Sequence, residues 1–392
     1  MRVAAPPADW IRARLDALAG EGLLRRRLSL ETAQGPRIGI GGRTYLAFCS
    51  NDYLGLAADP RIAEALVQAV RAYGVGSGAS HLVTGHTAAH DELERSLAAF
   101  VGLERALFFG SGYLANLGVL GALAGRDDVV VSDALNHASL IDGIRLTRAR
   151  VSRVPHCDAA AVERALAEAG AAHARFVVTE GVFSMDGDMP DLPRLLELCE
   201  RHDAWLVVDD AHGFGVLGPR GAGVLEHFGL SSPRLVYIGT LGKAAGVHGA
   251  FVAGAAALVE LVLQRARSYI YTTASPAFLA AALQKSLAII REEGWRRQKL
   301  VRLTKALQAG LARLPAQVGR SSSAIQPVLL GSNERALRAS EMLRERGVVV
   351  TAIRPPTVPE GTARLRISLS AAHEEEDVRQ LLDALGAALA EA

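Results

Sequence analysis

Residues 205–212 read WLVVDDAH: four apolar residues run together and stop at two aspartates. A strand with one face in water alternates apolar and polar positions, whereas a strand covered on both faces has no need to. Six further runs have this character: ALFFGS (106–111), VVVSDA (129–134), RVSRVP (150–155), FVVTEG (176–181), LVYIGT (235–240) and AFVAGA (250–255). Helical patterns at 88–100, 113–124, 158–169 and 191–202 lie between most of them. Such alternation predicts an α/β fold, with a mostly parallel seven-stranded sheet between helices. A helix-rich stretch over 276–314 leads to a smaller α+β unit. That unit comprises IQPVLLG (325–331), a helix at 333–346, VVVTAI (348–353), ARLRISLS (363–370) and a final helix. The expected division is an N-terminal helix and hairpin segment over 1–55, a large α/β domain over 56–290 and a small C-terminal α+β domain over 291–392.

Near the start, Asp9 can cap a helix whose Ile11, Leu15 and Leu18 share one face. Residues 36–49 predict a hairpin turning at Gly41-Gly42, followed by an irregular SNDYLGL (50–56). Half of the 392 residues are hydrophobic, 21% are charged and the net charge is +2. This is the balance of a globular protein and gives no reason to expect nucleic acid or an acidic membrane as partner. Three scattered cysteines, Cys49, Cys157 and Cys199, argue against a disulfide framework or a zinc site. The first residues lack a secretory apolar core. The apolar stretch 244–263 is interrupted by His248 and Glu260, which makes it a poor membrane span. A cytoplasmic location is expected.

In a parallel sheet, ligands collect beyond the carboxyl ends of the strands. Beyond LFFG stand Ser111, Gly112 and Tyr113, opening a helix whose free N–H groups suit a phosphate, although a plain strand-to-helix turn looks similar. Beyond VVVSDA stands His137, beyond VVTEG the polar loop 182–188 with Ser184, beyond WLVV the group Asp209, Asp210 and His212, and beyond LVYIG the pair Thr240 and Lys243. Lys243 has no charged neighbour between Arg234 and Glu260. An amine in small, apolar surroundings can become a nucleophile and base. A single aspartate ending a strand would be an ordinary cap or ion pair, and Asp209 with His212 fits no common zinc pattern, so no metal is expected. A lysine joined to the cofactor's aldehyde, with an aspartate at its pyridinium nitrogen, is how proteins hold pyridoxal 5'-phosphate. The glycine-rich GVGSGASHLVTG (74–85) follows a helix and lacks dinucleotide spacing, so it does not support a nicotinamide site.

SNDYLGL, GSGASHLVTG, NHASL, TEGVFSMDGD, VVDDAHGFGVLG and TLGKAAGVHGAF together resemble, in order and spacing, the α-oxoamine synthases. These are fold-type I, aminotransferase-like pyridoxal-phosphate enzymes that condense an amino acid with an acyl thioester and release carbon dioxide. LRRR (24–27), SSAIQP (322–327) and AIRPPTVPEGTARLRISLSAAH (352–373) resemble the branch that joins L-alanine to a pimeloyl thioester in biotin biosynthesis. A sister branch using glycine or serine is the alternative. The resemblance implies that Lys243 carries the cofactor, His137 stacks on its ring and Asp209 pairs with its nitrogen. It places Ser184 and His212 at the ring hydroxyl, and Gly112, Tyr113 and Thr240 at the phosphate. Thr272 would reach the phosphate from a neighbouring subunit, implying a homodimer with shared sites. Arg25, Thr357 and Arg366 match substrate-binding positions, Arg366 gripping the amino-acid carboxylate. Coenzyme A or an acyl carrier protein could carry the acyl group. Tyr113 and His248 depart from the family, where phenylalanine and a small residue are common.

Overall fold

The computed structural model describes residues 7–391. By its internal contacts the chain separates into two units, Asn51–Val301 and Met1–Ser50 together with Arg302–Ala392. The hairpin appears as β1 (Arg37–Ile40) and β2 (Arg43–Ala47), with Ile40 paired to Arg43. Its two turn residues, Gly41 at φ 58° and Gly42 at φ 72°, both take the left-handed conformation that this tight turn demands. The preceding helix, Pro7–Gly20, starts three residues earlier than a cap at Asp9 would give. Asp9 therefore lies in its first turn, where it faces the positive end of the helix dipole, and is not the cap.

Seven strands build the sheet of the unit Asn51–Val301. They are β3 (Arg105–Phe109), β4 (Val129–Asp133), β5 (Arg150–Val154), β6 (Arg175–Glu180), β7 (Trp205–Asp209), β8 (Leu235–Thr240) and β9 (Ala250–Gly254). Their order is β3-β9-β8-β7-β6-β4-β5. The pairings β8-β7, β7-β6, β6-β4 and β4-β5 are parallel, and β9 alone runs against both its neighbours. The expected mostly parallel, seven-stranded sheet is the sheet observed. Val130, Val178, Val207, Val236 and Val252 from its strands pack in one core with Val119 and Leu120 of the helix Gly112–Leu123 and Leu140 and Ile144 of the helix Ala138–Thr147. At about 1.5–3 kcal/mol per fully buried large aliphatic side chain, this core is a principal stabilising contact of the unit. RVSRVP differs from expectation, because Arg150, Val151 and Arg153 of β5 are exposed. As an edge strand it has one free side, and its arginines discourage pairing with another chain.

In the other unit, β10 (Gln317–Val318), β11 (Ile325–Gly331), β12 (Val348–Val349), β13 (Thr351–Ile353) and β14 (Ala363–Ser368) complete two small sheets. VVVTAI, which reads as one run, is split at Val350. Val348 and Val349 extend the hairpin through β2, while Thr351–Ile353 pair with β14 in the sheet β10-β11-β14-β13.

At the β3 edge, Glu94 of the helix Ala88–Val101 accepts a hydrogen bond from the Phe108 amide at 2.8 Å. Burial, partly offset by that amide, pushes the Glu94 carboxyl up from 4.5 to about 7. A carboxyl whose pKa is higher in the folded state binds its proton more tightly there, so stability is lost as pH rises through that window. Glu94→Gln removes this titration. Relative to the native chain its stability is expected to improve by roughly 1–3 kcal/mol between pH 4.5 and 7.5, measured by urea unfolding at both pH values.

Candidate active site

The carboxyl ends of β6, β7 and β8 bring together residues far apart in sequence. β7 ends in two aspartates that do different things. Asp210, fully buried, accepts hydrogen bonds from the Val224 amide at 2.8 Å and the Tyr237 hydroxyl at 2.7 Å. A Cβ on Gly213 would stand 2.1 Å from its Oδ1 and one on Gly223 2.0 Å from its Oδ2, so this carboxyl fits only against bare backbone. Burial pushes it up to about 7. It is part of the scaffold.

Asp209 accepts from the Ala211 amide at 3.0 Å and from Asn116 Nδ2 at 2.6 Å, both neutral donors. A buried carboxylate whose hydrogen-bond donors among the described residues are neutral is suited to a cationic partner such as a protonated pyridine nitrogen. Asn116 Nδ2 also donates to Ser139 Oγ at 2.8 Å. Ser139 in turn donates to His137 Nδ1, from its hydroxyl at 2.7 Å and its amide at 3.3 Å. With Nδ1 accepting, the ring proton of a neutral His137 sits on Nε2. Desolvation on the protein side holds this histidine's pKa below the usual value, with Asp209 opposing and Lys243 reinforcing the shift. His137 remains exposed, so its anchored ring can meet a planar ligand.

Lys243 Nζ lies 2.8 Å from His212 Nε2, and His212 Nδ1 lies 2.7 Å from the Tyr53 hydroxyl. That hydroxyl donates to Asn51 Oδ1 at 3.2 Å. With Lys243 as ammonium, these bonds run one way: Nζ–H to Nε2, Nδ1–H to the tyrosine oxygen, O–H to the amide. When Lys243 loses its proton the same imidazole can carry one in its place. Glu180, opposite Asp209 in the β6-β7 register and buried, accepts from the Ser184 amide at 3.2 Å through Oε2. Its Oε1 is a buried oxygen with no hydrogen-bond partner among the described residues. Burial, with the Asp209 charge added, raises its pKa well above the ordinary carboxylate range.

At the other end of this cluster, Thr240 donates to the Gly249 carbonyl at 3.2 Å. A Cβ on Gly112 would lie 3.9 Å from Thr240 Oγ1, so the first turn of the helix Gly112–Leu123 faces the end of β8. Ser111 caps that helix through its Oγ, which accepts from the Leu114 amide at 3.2 Å. The Gly112 and Tyr113 N–H groups precede the intrahelical ladder and can receive an anion. The Tyr113 ring is exposed and its hydroxyl donates to Asp142, so only its backbone can serve there. Helix dipole, hydroxyl, buried carboxylate and paired lysine form a donor set that fits pyridoxal phosphate.

Thr272 is half-buried between the short helix Arg267–Ile270 and the helix Ala277–Glu292, next to the exposed Tyr271. His248 is exposed. The remaining three expected residues belong to the other unit. Arg366, buried on β14, donates to Ser368 Oγ at 2.9 Å. Arg25 and Thr357 line one groove of about 250 Å³ there, with Arg26, Arg354 and Pro355. Asn116, Ser139, Tyr53 and Glu180 were not found from sequence. Only Glu180 carries a visible signal, a carboxylate ending an apolar run in the way Asp209 does.

The class I and II aminotransferase model matches residues 43–385. Relatives named 8-amino-7-oxononanoate synthase match along nearly the whole chain. The one from Nitrosospira multiformis is 57% identical, covering 98% of this chain and 96% of its own. The one from Herminiimonas arsenicoxydans is 56% identical, covering 95% and 97%. This chain belongs to the class I and II aminotransferase family and, within it, to the 8-amino-7-oxononanoate synthases. Among solved structures, serine palmitoyltransferase from S. paucimobilis, with bound PLP and myriocin, is 31% identical with a TM-score of 0.92, covering 98% of this chain and 97% of its own. The 8-amino-7-oxononanoate synthase of Francisella tularensis is 30% identical with a TM-score of 0.77, covering 88% and 98%. The fold is therefore the aminotransferase-like fold type I.

Asn116→Ala removes the 2.6 Å hydrogen bond to Asp209 and the donor to Ser139 together. At roughly 1.5–3 kcal/mol for a hydrogen bond to a charged group, affinity for pyridoxal phosphate is expected to fall about 10- to 150-fold. Titration of the cofactor's visible absorbance checks this.

Proposed function

We propose that this chain catalyses the decarboxylative condensation of L-alanine with a pimeloyl thioester, giving 8-amino-7-oxononanoate, carbon dioxide and the free thiol, as a step of biotin biosynthesis. The observation that carries the reading is the 57% identity, over 98% of the chain, to a relative bearing that enzyme's name. It is a pyridoxal-phosphate enzyme, and the cofactor when bound supplies an electron sink for the α-carbon of the amino acid. Lys243 Nζ is the base that takes and returns the α-proton. His212, held by Tyr53, keeps Nζ oriented and relays charge when it changes protonation. Asp209 holds the ring-nitrogen proton, because a buried negative charge stabilises the cation beside it. His137 stacks on the ring in the orientation fixed by Ser139, with Ser184 and His212 at the ring hydroxyl and Gly112, Tyr113 and Thr240 at the phosphate. Arg366 binds the alanine carboxylate, while Arg25 and Thr357 bind the acyl substrate.

The protein acts as a cytoplasmic homodimer in which Thr272 reaches the partner's phosphate. No described helix is long and apolar enough to cross a membrane. The exposure of Tyr271 (72%), Val75 (72%) and Val83 (73%) supports burial of these segments by a second copy. Coenzyme A and acyl carrier protein both remain substrates to test as acyl carriers. A serine-using activity is the second reading, favoured by the TM-score of 0.92 to serine palmitoyltransferase.

Purified protein with pyridoxal phosphate is to be assayed with L-alanine, glycine or L-serine against pimeloyl-CoA and pimeloyl-acyl carrier protein. Thiol, carbon dioxide and ketone product are followed together. Equimolar release of thiol and carbon dioxide with L-alanine alone is expected; release with serine instead would transfer the chain to the other branch. Lys243→Ala should lose at least about 10³-fold in turnover, as removal of an essential base does, and should show no cofactor mass on the chain after borohydride reduction.

A further inference from the structure

Outside this cluster, three consecutive strand ends are tied by one histidine. His156, just beyond β5, places Nδ1 3.0 Å from Asp133 Oδ1 and Nε2 3.0 Å from Asp188 Oδ2. Both nitrogens face carboxylates, so both carry protons and the ring is a cation bridging two anions. Burial pulls its pKa down, but the hydrogen bonds it donates to Asp133 and Asp188 outweigh this and push it up to about 12. Phe183 packs edge-on against the ring, with centroids 4.3 Å apart. Asp133 ends β4, and its carboxylate also accepts from the Leu135 amide at 2.8 Å and the Cys157 amide at 2.8 Å. It thereby shapes the turn that delivers His137. Asp188 closes the loop after β6, its carbonyl accepting from the Phe183 amide at 2.9 Å. That loop carries Ser184.

We infer that His156 is a positioning residue: as an imidazolium pinned between Asp133 and Asp188, it fixes the two loops that present His137 and Ser184 to the cofactor. In the sheet, β4 lies between β5 and β6, so the pin spans three neighbouring strands from the edge inward. The two carboxylates it joins would otherwise face each other without a cation, and each would repel the other's loop. A neutral amide in place of the ring can hydrogen-bond one of them but cannot neutralise both. The inference rests on the proposed reading of His137 and Ser184 as cofactor contacts.

The experiment compares His156→Gln, Asp188→Asn and the double variant with the native chain, using amide hydrogen exchange of 134–137 and 182–188 in cofactor-free protein and pyridoxal-phosphate affinity by titration. Faster exchange of 182–188 in each single variant, with cofactor affinity reduced about tenfold in each and no further in the double variant, is the expected result of breaking one shared charge-assisted link. A folded His156→Gln protein with native exchange in 182–188, or losses that add in the double variant, would overturn the inference. Should His156→Gln fail to fold, Asp188→Asn decides alone, since Asp133 still holds the histidine there, and native exchange in its 182–188 loop overturns the inference. His137→Ala and Ser184→Ala separate the two readings. If neither changes the cofactor's affinity or spectrum, the site reading fails. If both change it while the pin variants do not, the pin fails and the site stands.

Discussion

Everything in the candidate site follows from the burial of a carboxylate, Asp209, at the end of the central strand β7. Removing such a group from water costs several kcal/mol unless donors or a cation replace the solvent. Glu180 and Asp210 lie beside it, so three carboxyls crowd adjoining strand ends. Two of them are held toward the neutral form, by burial first and by the charge of Asp209 in addition. Charge on all three at once is thereby disfavoured. A ligand cation that binds there is read by one carboxylate, with direction set by Asn116.

The parallel sheet explains why such an arrangement can be rigid. Each inner strand end is fixed by its neighbours on both sides, so a side chain just beyond it inherits little freedom. Loops then need only short anchors. Ser139 fixes His137 through two bonds to one ring nitrogen, and Tyr53 fixes His212 from the opposite side of Lys243. Both histidines have one nitrogen committed to the scaffold, so the other points to the reacting region with a defined role. Preorganisation of this sort reduces what must be rearranged when substrate binds.

The strand runs and the groups beyond them were legible because burial on both faces and charge at a strand end each leave a local pattern. Lys243, Asp209, His137 and His212 could be named for that reason. Asn116 could not, since a helical asparagine carries no sign of the carboxylate it meets 93 positions later. Tyr53 and Ser139 are ordinary residues in their own segments and matter only through a partner. His156 follows an edge strand whose exposed arginines interrupt the apolar pattern, so the place where it acts was read as the end of a buried strand. The split of VVVTAI was equally hidden: six β-prone residues do not say that two sheets share them.

Similarity to serine palmitoyltransferase at 31% identity with a TM-score of 0.92, beside 57% identity to an 8-amino-7-oxononanoate synthase, separates two layers of information. A fold can be kept while its chemistry is reassigned, so backbone likeness alone says little about which amino acid or thioester is used. In the proposed reading, the groups at the strand ends act on the cofactor and not on the part of the substrate that varies, so a shared scaffold keeps their electrostatics. In that same proposed reading, discrimination falls to the groove lined by Arg25, Arg26, Arg354 and Thr357. Several guanidinium groups around about 250 Å³ favour an anionic terminus or phosphate over a plain alkyl chain. A pimeloyl thioester carries a carboxylate at its far end and a palmitoyl thioester does not. On that difference alone, an arginine-lined groove is costly to fill with hydrocarbon and favourable to fill with a dicarboxylate, since only the second replaces the water the arginines lose.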